Sequence, residues 1–576
     1  MPARSVVAPA LAAIACGVAL LAFIVGHELH LGTFRIYSTT DVMPLKETLF
    51  FVAMALFGTA ATWFGAMALD RAAGFRLRDA ARFLGERPVA TVAALAGLGL
   101  LATALVSWLA LQHTAVVLDE DLYRFQVDLL RAGKLYTTPP RPLGPFREFY
   151  SVQTRGVWTG IYPWGHIAML LPGYVLNFPQ LVPHLCAGAM VVLTYLLGKE
   201  LFPEDKTTPL LAAGFVALSP FVAFTCGTTH NSTTSMAFVN LGLWALVRSV
   251  RRDAPLFAIL AGLAFGAGLH SRPLNSVAVA VACGVIALVM AVRTRRRWWL
   301  LAAGFIAGVL PGLAAYFLIN KAITGDPMMT PAVMSVPTKL KIFGFDGTVI
   351  AHTPLLAFGK SGTNLIRLTL WTTGSTLGAI ALVAFLGGLR RRTSDLVLLA
   401  PVLAVFSCYY FYFTSPGSDT GPLYYADLVP ALALVIGRTL VALGDRLPEE
   451  GHLSMVRSTV VMSFVVALGS FWPMQGIAGH HVTDNNLQPY RAVERAGLHN
   501  AIVWFNRSPR FRSWKLTPIP PKPDLSDDVL YARYDEKNAV ALWDKYGTTR
   551  SFYTLIFDPD KPDDASIEPW FPASGQ

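Results

Sequence analysis

Residues Val89–Gln112 read VATVAALAGLGLLATALVSWLALQ, and shortly afterwards Leu118–Tyr123 read LDEDLY. The first stretch has no charge and is long enough to cross about 30 Å of hydrocarbon as a helix. The second places Asp119, Glu120 and Asp121 just beyond that crossing. A charge cluster at a membrane exit is either a solvated helix end or a reactive site facing a substrate held by the membrane. Carboxylates there can act as general bases where burial or a neighbouring charge raises their pKa.

The rest of the chain repeats the first pattern. Of 576 residues, 54% are hydrophobic and only 14% charged, against roughly 25% charged in a soluble domain. Long alternating strands are absent, so the expected fold is an all-α polytopic membrane protein. About thirteen apolar runs reach or approach spanning length, from Val7–Gly26, Leu49–Leu69 and Val89–Gln112 through to Val460–Pro473. The first could be a signal peptide. It is read as an uncleaved helix because no clean small-x-small cleavage site precedes His27.

The net charge of +11 is carried in short loops and is no nucleic-acid signal. Arg71, Arg76, Arg78, Arg82 and Arg87 form one basic loop. Further loops carry Lys199 and Lys206, then Arg248, Arg251 and Arg252, then Arg293 and Arg295–Arg297, then Arg390–Arg392, then Arg446 and Arg457. Their alternation predicts a cytoplasmic N-terminus and an extracytoplasmic C-terminus, with Asp119 on the non-cytoplasmic face. Cys16, Cys186, Cys226, Cys283 and Cys408 lie in or beside apolar runs with no metal or redox spacing, and read as small buried hydrophobes.

Three regions follow. Residues 1–88 are a two-helix N-terminal addition, and 89–478 a transmembrane core with large outer loops at 118–183 and 320–363. Residues 479–576 are a small extracytoplasmic α/β domain. The first outer loop holds two amphipathic pieces, Leu122–Ala132 and Trp164–Val175, expected at the membrane interface. In the tail, Ala501–Phe505, Val529–Tyr534 and Phe552–Phe557 read as strands, with helices at Tyr490–Ala496 and Lys537–Lys545. The tail is expected to cap an outer cavity.

A series of motifs then falls in order along the chain. Asp119-Glu120 and Tyr123 precede Leu129-Leu130-Arg131-Ala132-Gly133-Lys134-Leu135-Tyr136, and Gly160-Ile161-Tyr162-Pro163-Trp164-Gly165-His166 follows. Next come Ser219-Pro220-Phe221, Thr228-Thr229-His230, and Gly262–Gly268 leading to Ser271-Arg272-Pro273-Leu274. Asn320–Pro327, Gly344-Phe345 and Gly421-Pro422-Leu423-Tyr424-Tyr425 complete the core, with Asn500–Val503 and Val529–Arg533 in the tail. From about Val89 to Ser551 this order resembles GT-C glycosyltransferases. The nearest likeness is to bacterial family 39 chains, similar to protein mannosyltransferases and lipid A aminoarabinose transferases. The chain departs from their pattern at Leu423, where relatives often have Arg, at Trp164, and at Asn231.

The resemblance implies a GT-C-like fold in a multi-pass, bacterial inner-membrane protein. It implies inverting transfer of a sugar from a polyprenyl-phosphate donor to an acceptor lipid, glycan or protein on the outer face. It assigns Asp119 as base, with Glu120 tuning it or positioning the acceptor. The two adjacent carboxylates would titrate as a pair. Arg155 and Arg272 are candidates for the leaving phosphate, since guanidinium matches phosphate oxygens in a fork. Lys339 and Lys341 are further candidates. Tyr123, Tyr162, His230, Tyr424 and Tyr425 are candidate substrate contacts. Each has a plainer role: a helix-end anchor for Arg272, a solvated Arg155, a structural His230, and interface-belt tyrosines. No cofactor is indicated and no metal cluster is apparent, although Asp119 and Asp121 could hold a divalent cation. The alternatives are a lipid-linked sugar transporter or flippase, and a non-catalytic polysaccharide-assembly protein. The transporter predicts ionisable residues in mid-span.

Overall fold

The computed structural model describes residues 6–31, 45–147, 150–335, 352–388, 393–412, 418, 420–446, 450–505, 518–558 and 561–572. Lys339, Lys341, Gly344, Phe345 and Arg390–Arg392 lie outside them. Helices dominate, as apolar composition in a bilayer requires: lipid offers no partner for a backbone amide, so each span must satisfy its own.

Among the described residues nine helices are long and apolar enough to cross a membrane, or eleven if two bent pairs each count as one crossing. The bent pairs are Thr207–Ala217 with Pro220–Cys226, and Pro354–Thr373 with Leu377–Gly387. The expected count of about thirteen is therefore not reached, and two segments make the difference. Ser232–Arg252 is long enough, but Ser232, Thr233, Thr234, Ser235, Asn240 and Ser249 dilute its apolar character. All six are buried, so neighbouring helices and not lipid surround that face. Pro255–Leu269 has 15 residues, about 22 Å at 1.5 Å per residue, short of the hydrocarbon thickness.

The short helix packs by close approach. A Cβ on Gly262 would collide with the Phe305 carbonyl, and one on Gly308 with the Ile259 carbonyl. Small residues here let helices Pro255–Leu269 and Trp298–Thr324 touch backbone to backbone, the usual device where lipid removes any hydrophobic drive between helices. A second fastening is the bidentate pair of Arg367 with Glu47, whose side chains are both almost fully buried. It ties the helix starting at Leu45 to Pro354–Thr373.

The basic stretch expected as a loop is helical instead. Thr59–Glu86 continues through it, broken only at Ala73 (φ −146°, ψ 16°), and Pro88 opens the next span. At the other end, Glu450–Val466 runs through a π-helical turn at Ala467–Phe471 into Trp472–Arg495, so Gly479 lies inside a helix.

The remaining structure is a small α/β unit. Strands β3 (Ala501–Phe505), β4 (Val529–Arg533), β5 (Ser551–Asp558) and β6 (Lys561–Pro569) form a sheet ordered β4-β3-β5-β6, parallel except for the β5–β6 pair. Helix Glu536–Tyr546 links β4 to β5. The 118–183 segment contributes a hairpin, β1 (Ser151–Thr154) and β2 (Val157–Gly160), and two helices, Leu118–Arg131 and Trp164–Val175. It shares one apolar core with the sheet: Phe125, Trp158, Trp164 and Ile167 join Trp504, Leu530, Phe552 and Trp570. Arg124 Nη2 also donates to the Pro520 carbonyl at 2.6 Å. The sheet is thus a buttress for the helix that carries the acidic cluster.

Candidate active site

Helix Leu118–Arg131 starts where Val117 is still extended (φ −125°), so its first-turn amides have no partners within the helix. Three carboxylates in that turn meet the positive end of the helix dipole, which explains why the acidic run sits here. Successive helical residues point about 100° apart. Asp119, Glu120 and Asp121 therefore face three different environments.

Glu120 points inward and is 4% exposed. Its Oε1 accepts the amides of Val116 at 2.8 Å and Val117 at 3.4 Å. Its Oε2 accepts the Thr229 amide at 2.8 Å and the Thr229 hydroxyl at 2.9 Å. Burial lifts its pKa to about 7 against those four donors, and Asp119 is not among the groups that shift it. Asp119 and Glu120, adjacent in the sequence, point into different surroundings because the helix turns them apart. Burial likewise raises Asp121 to about 6, opposed by Arg124.

Asp119 is the carboxylate that faces open space, with its side chain 27% exposed. His230 Nε2 stands 3.8 Å from its Oδ2. The His230 tautomer follows from its other nitrogen: the Ser232 amide donates to Nδ1 at 3.3 Å, so in the neutral ring the proton sits on Nε2, toward Asp119. Burial lowers the His230 pKa, while Asp119 pulls it up. Tyr123 lies edge-on to both Tyr162 (4.8 Å between centroids) and His166 (4.9 Å), with His230 at 6.3 Å. Burial raises the Tyr123 and Tyr162 hydroxyls, and the Asp119 charge adds to both shifts.

The loop that presents His230 is the polar run Thr225–Ser235, buried almost throughout. Buried polar groups must be paired, and here each pairing fixes the loop. His166 Nε2 donates to the Thr229 carbonyl at 2.7 Å, and its Nδ1 lies 2.9 Å from the Thr234 hydroxyl. Burial lowers the His166 pKa to about 3, so it is a neutral clamp. The Ser232 hydroxyl donates to the Leu423 carbonyl at 3.0 Å. Leu423, which stands where a cation was expected, is buried in the bundle core.

Arg272 caps the far side of the loop. Its Nε donates to Asn231 Oδ1 at 3.1 Å, and its guanidinium lies 4.8 Å from the centre of the Tyr424 ring. No carboxylate oxygen lies within 4 Å of it among the described residues, so its charge is steadied by an amide and an aromatic face. Asn231 also donates to the Ser271 carbonyl at 3.3 Å. The departure from Pro at this position thus supplies the bridge between His230's loop and the arginine.

The structure gathers Asp119, Tyr123, Tyr162, His230, Arg272 and Tyr424 around this loop. It does not gather the others. Arg155 is exposed at the β1–β2 turn with φ 54°. Tyr425 is buried and stacked on Phe406 at 4.4 Å, a packing role. Glu120 braces Thr229 and does not border the open space. Sequence reasoning missed His166, Thr229 and Asn231 as working parts. It also missed a second layer, in which Asp427 Oδ2 accepts from Ser235 at 3.1 Å and Asn275 at 2.5 Å. Tyr409 donates to Asn275 Oδ1 at 2.6 Å. A carboxylate inside the apolar run after Tyr425 was the available signal. Among the described residues no group of three or more His, Cys, Asp or Glu side chains is placed to hold a metal ion.

Residues 169–319 match the family described as dolichyl-phosphate-mannose-protein mannosyltransferase. That span contains the Thr225–Ser235 loop and Arg272, and begins after Asp119. The match and the resemblance drawn from the motifs point to the same kind of protein. No curated protein sequence matches the chain. Among solved structures, ArnT from Cupriavidus metallidurans, bound to undecaprenyl phosphate, is similar with 13% identity and TM-score 0.49, over 80% of this chain and 93% of that one. The Archaeoglobus fulgidus oligosaccharyltransferase tethered with an acceptor peptide has 10% identity and TM-score 0.43, over 81% and 69%. The mycobacterial arabinofuranosyltransferase AftD has 14% identity and TM-score 0.46, over 81% and 36%.

Proposed function

We propose that this protein is an inverting membrane glycosyltransferase that moves a sugar from a polyprenyl-phosphate donor to an acceptor on the non-cytoplasmic face. The observation that carries the reading is one partly exposed carboxylate, Asp119, facing His230, with Arg272 bonded to the His230 loop through Asn231 and holding no carboxylate oxygen within 4 Å among the described residues. The family match over that loop supports the donor class, since its description names a dolichyl-phosphate sugar.

In this reading an acceptor oxygen attacks the anomeric carbon as Asp119 Oδ2 takes its proton. The bond from that carbon to the phosphate oxygen breaks, and its electron pair leaves on the polyprenyl phosphate. Arg272 offsets the charge that collects there. Attack and departure in one displacement invert the anomeric centre. His230, neutral and donating from Nε2, orients the Asp119 carboxylate, and contacts of this kind tighten in the substrate complex. Tyr162 and Tyr424 border the sugar. Glu120, His166 and Asn231 act through the loop, as positioning residues. The basic-loop alternation supports a cytoplasmic N-terminus and a C-terminal sheet on the outer face, beside the acceptor side of the site.

The test is transfer from radiolabelled polyprenyl-phosphate monosaccharides in membranes, wild type beside Asp119→Asn at matched expression. Transfer by the wild type, reduced at least a hundredfold in the variant, supports the reading. Equal transfer by both removes Asp119 from the chemistry. Labelled lipid that crosses proteoliposomes without any transfer replaces the enzyme with a flippase.

A further inference from the structure

The part of the helix Thr59–Glu86 that runs on beyond the apolar stretch ending at Leu69 is not used by the proposed chemistry. Gly74–Glu86 is helical, but its axis is interrupted at both ends: at Ala73 (φ −146°, ψ 16°) and at Arg87 (φ −123°, ψ 56°). At about 1.5 Å per residue it is roughly 20 Å long. Its surroundings are unusual for a helix between two membrane crossings. Phe75 is 61% exposed and Phe83 53%, and Leu84 is exposed beside them. From Arg71 to Arg87 the stretch carries five arginines against Asp79 and Glu86. Arg82 pairs with Glu86 at 2.9 Å, and Arg78 Nε is 3.9 Å from Asp79. Asp70 is near Gly74 and Ser454. On the helix packed alongside, Arg457 stands close enough to Arg78 for the two cations to repel.

Arg76 lies over Phe75 at 5.5 Å, and Arg87 over Phe83 at 4.4 Å. Each exposed ring therefore carries a guanidinium over its face. A ring that enters the acyl boundary keeps such a cation close by, and the long arginine stem lets the charge reach up to phosphate depth. Water suits the arginines but not the rings, and hydrocarbon suits the rings but not the arginines. The headgroup layer of a bilayer suits both, and the excess positive charge selects an anionic one.

We propose that Gly74–Glu86 is a surface helix that seats on anionic phospholipid headgroups, with Phe75 and Phe83 as wedges and Arg76, Arg82 and Arg87 as phosphate contacts. The occupant is the bilayer itself, because the segment joins two crossings and so begins and ends at its surface. Each arginine near an anionic surface is worth about a fivefold change in occupancy, and the interaction falls off within a Debye length.

The test is amide exchange across residues 74–86 in the full-length protein, reconstituted in nanodiscs of phosphatidylcholine alone or with 30% phosphatidylglycerol. We expect exchange at least tenfold slower in the anionic discs at about 50 mM NaCl, and a loss of that difference at about 500 mM. The triple variant Arg76→Gln, Arg82→Gln, Arg87→Gln should exchange alike in both discs, whereas Arg→Lys at the same positions keeps the difference. Equal wild-type exchange in both discs overturns the proposal. So does protection that appears only when two copies of the chain share a disc, which would assign the face to a second copy.

Discussion

Glu120→Gln gives a stability change whose sign depends on pH. The carboxylate serves four donors on two sides, and an amide can serve only one side. Its oxygen would keep the Val116 and Val117 amides, leaving its NH2 against Thr229. The Thr229 hydroxyl can rotate to accept, but the Thr229 amide cannot, and one orphaned buried N–H costs about 1–3 kcal/mol. The opposite term comes from ionisation. With a folded pKa of about 7 against 4.5 unfolded, the native protein holds this proton more tightly than the unfolded chain. The wild type is then most stable below pH 4.5 and loses about 3 kcal/mol as pH rises through 7. The variant has no such loss. It should be destabilised at pH 5 and neutral or more stable at pH 8, a swing of about 2–3 kcal/mol. Apparent Tm in detergent at pH 5, 6.5 and 8 measures this, since both proteins share every other titrating group. Sugar transfer should fall at each pH, because Thr229 carries His230. A Tm difference that stayed constant across pH would falsify the buried, four-donor account of Glu120.

Other predictions concern separate parts of the structure. Asp119→Asn should lower transfer by about 10²–10⁴ with Tm unchanged, read by single-turnover assay. Asn231→Ala should raise the KM for the lipid-linked donor more than it lowers kcat, because Arg272 keeps its charge but loses its tether; a kcat effect alone would place the arginine elsewhere. His166→Gln tests the depressed pKa. The wild type holds this stabilisation above pH 6.5 and loses it as pH falls toward 3, by about 1.4 kcal/mol per pH unit. The variant should therefore show a flatter acid limb in a melting series. Gly308→Ala should cost about 1–3 kcal/mol by forcing helices Pro255–Leu269 and Trp298–Thr324 apart, seen as a lower Tm with transfer retained at low temperature.

The bilayer made much of the fold legible. Where a helix faces lipid its composition must be apolar, and runs such as Val89–Gln112 and Pro273–Arg293 stand out for that reason. Ser232–Arg252 meets protein on its polar face, so its apparent polarity misstates its place. Strands β1 and β2, four residues each, are too short to show a period. The helix Trp472–Arg495 leaves the apolar run behind partway along, and a change of solvent there read as a change of structure. In the site, the acidic cluster stood out because three consecutive carboxylates closely follow an uncharged run of spanning length. Its neighbour His230 was visible only as a candidate, since the contact joins a helix start to a distant loop through tertiary packing. At Glu120 a helix turns apart two side chains that the sequence sets side by side, so its hydrogen bonds to Thr229 could not be read from adjacency. At Asn231 a departure from a family pattern hid a working hydrogen bond to Arg272.

The core shared by the 118–183 segment and the C-terminal sheet also sets an order of assembly. The Arg124–Pro520 contact closes a loop of 396 residues. A ribosome adds about 5–20 residues per second, so the acidic helix waits tens of seconds for its partner strands. During that time the membrane spans between them are already inserted, and Phe125 and Trp158 lack the surface that later covers them. The nascent protein therefore acquires its bundle first and its finished site last. A chain that ends before the sheet lacks the surface that covers Phe125 and Trp158, and its acidic helix has no brace on that side.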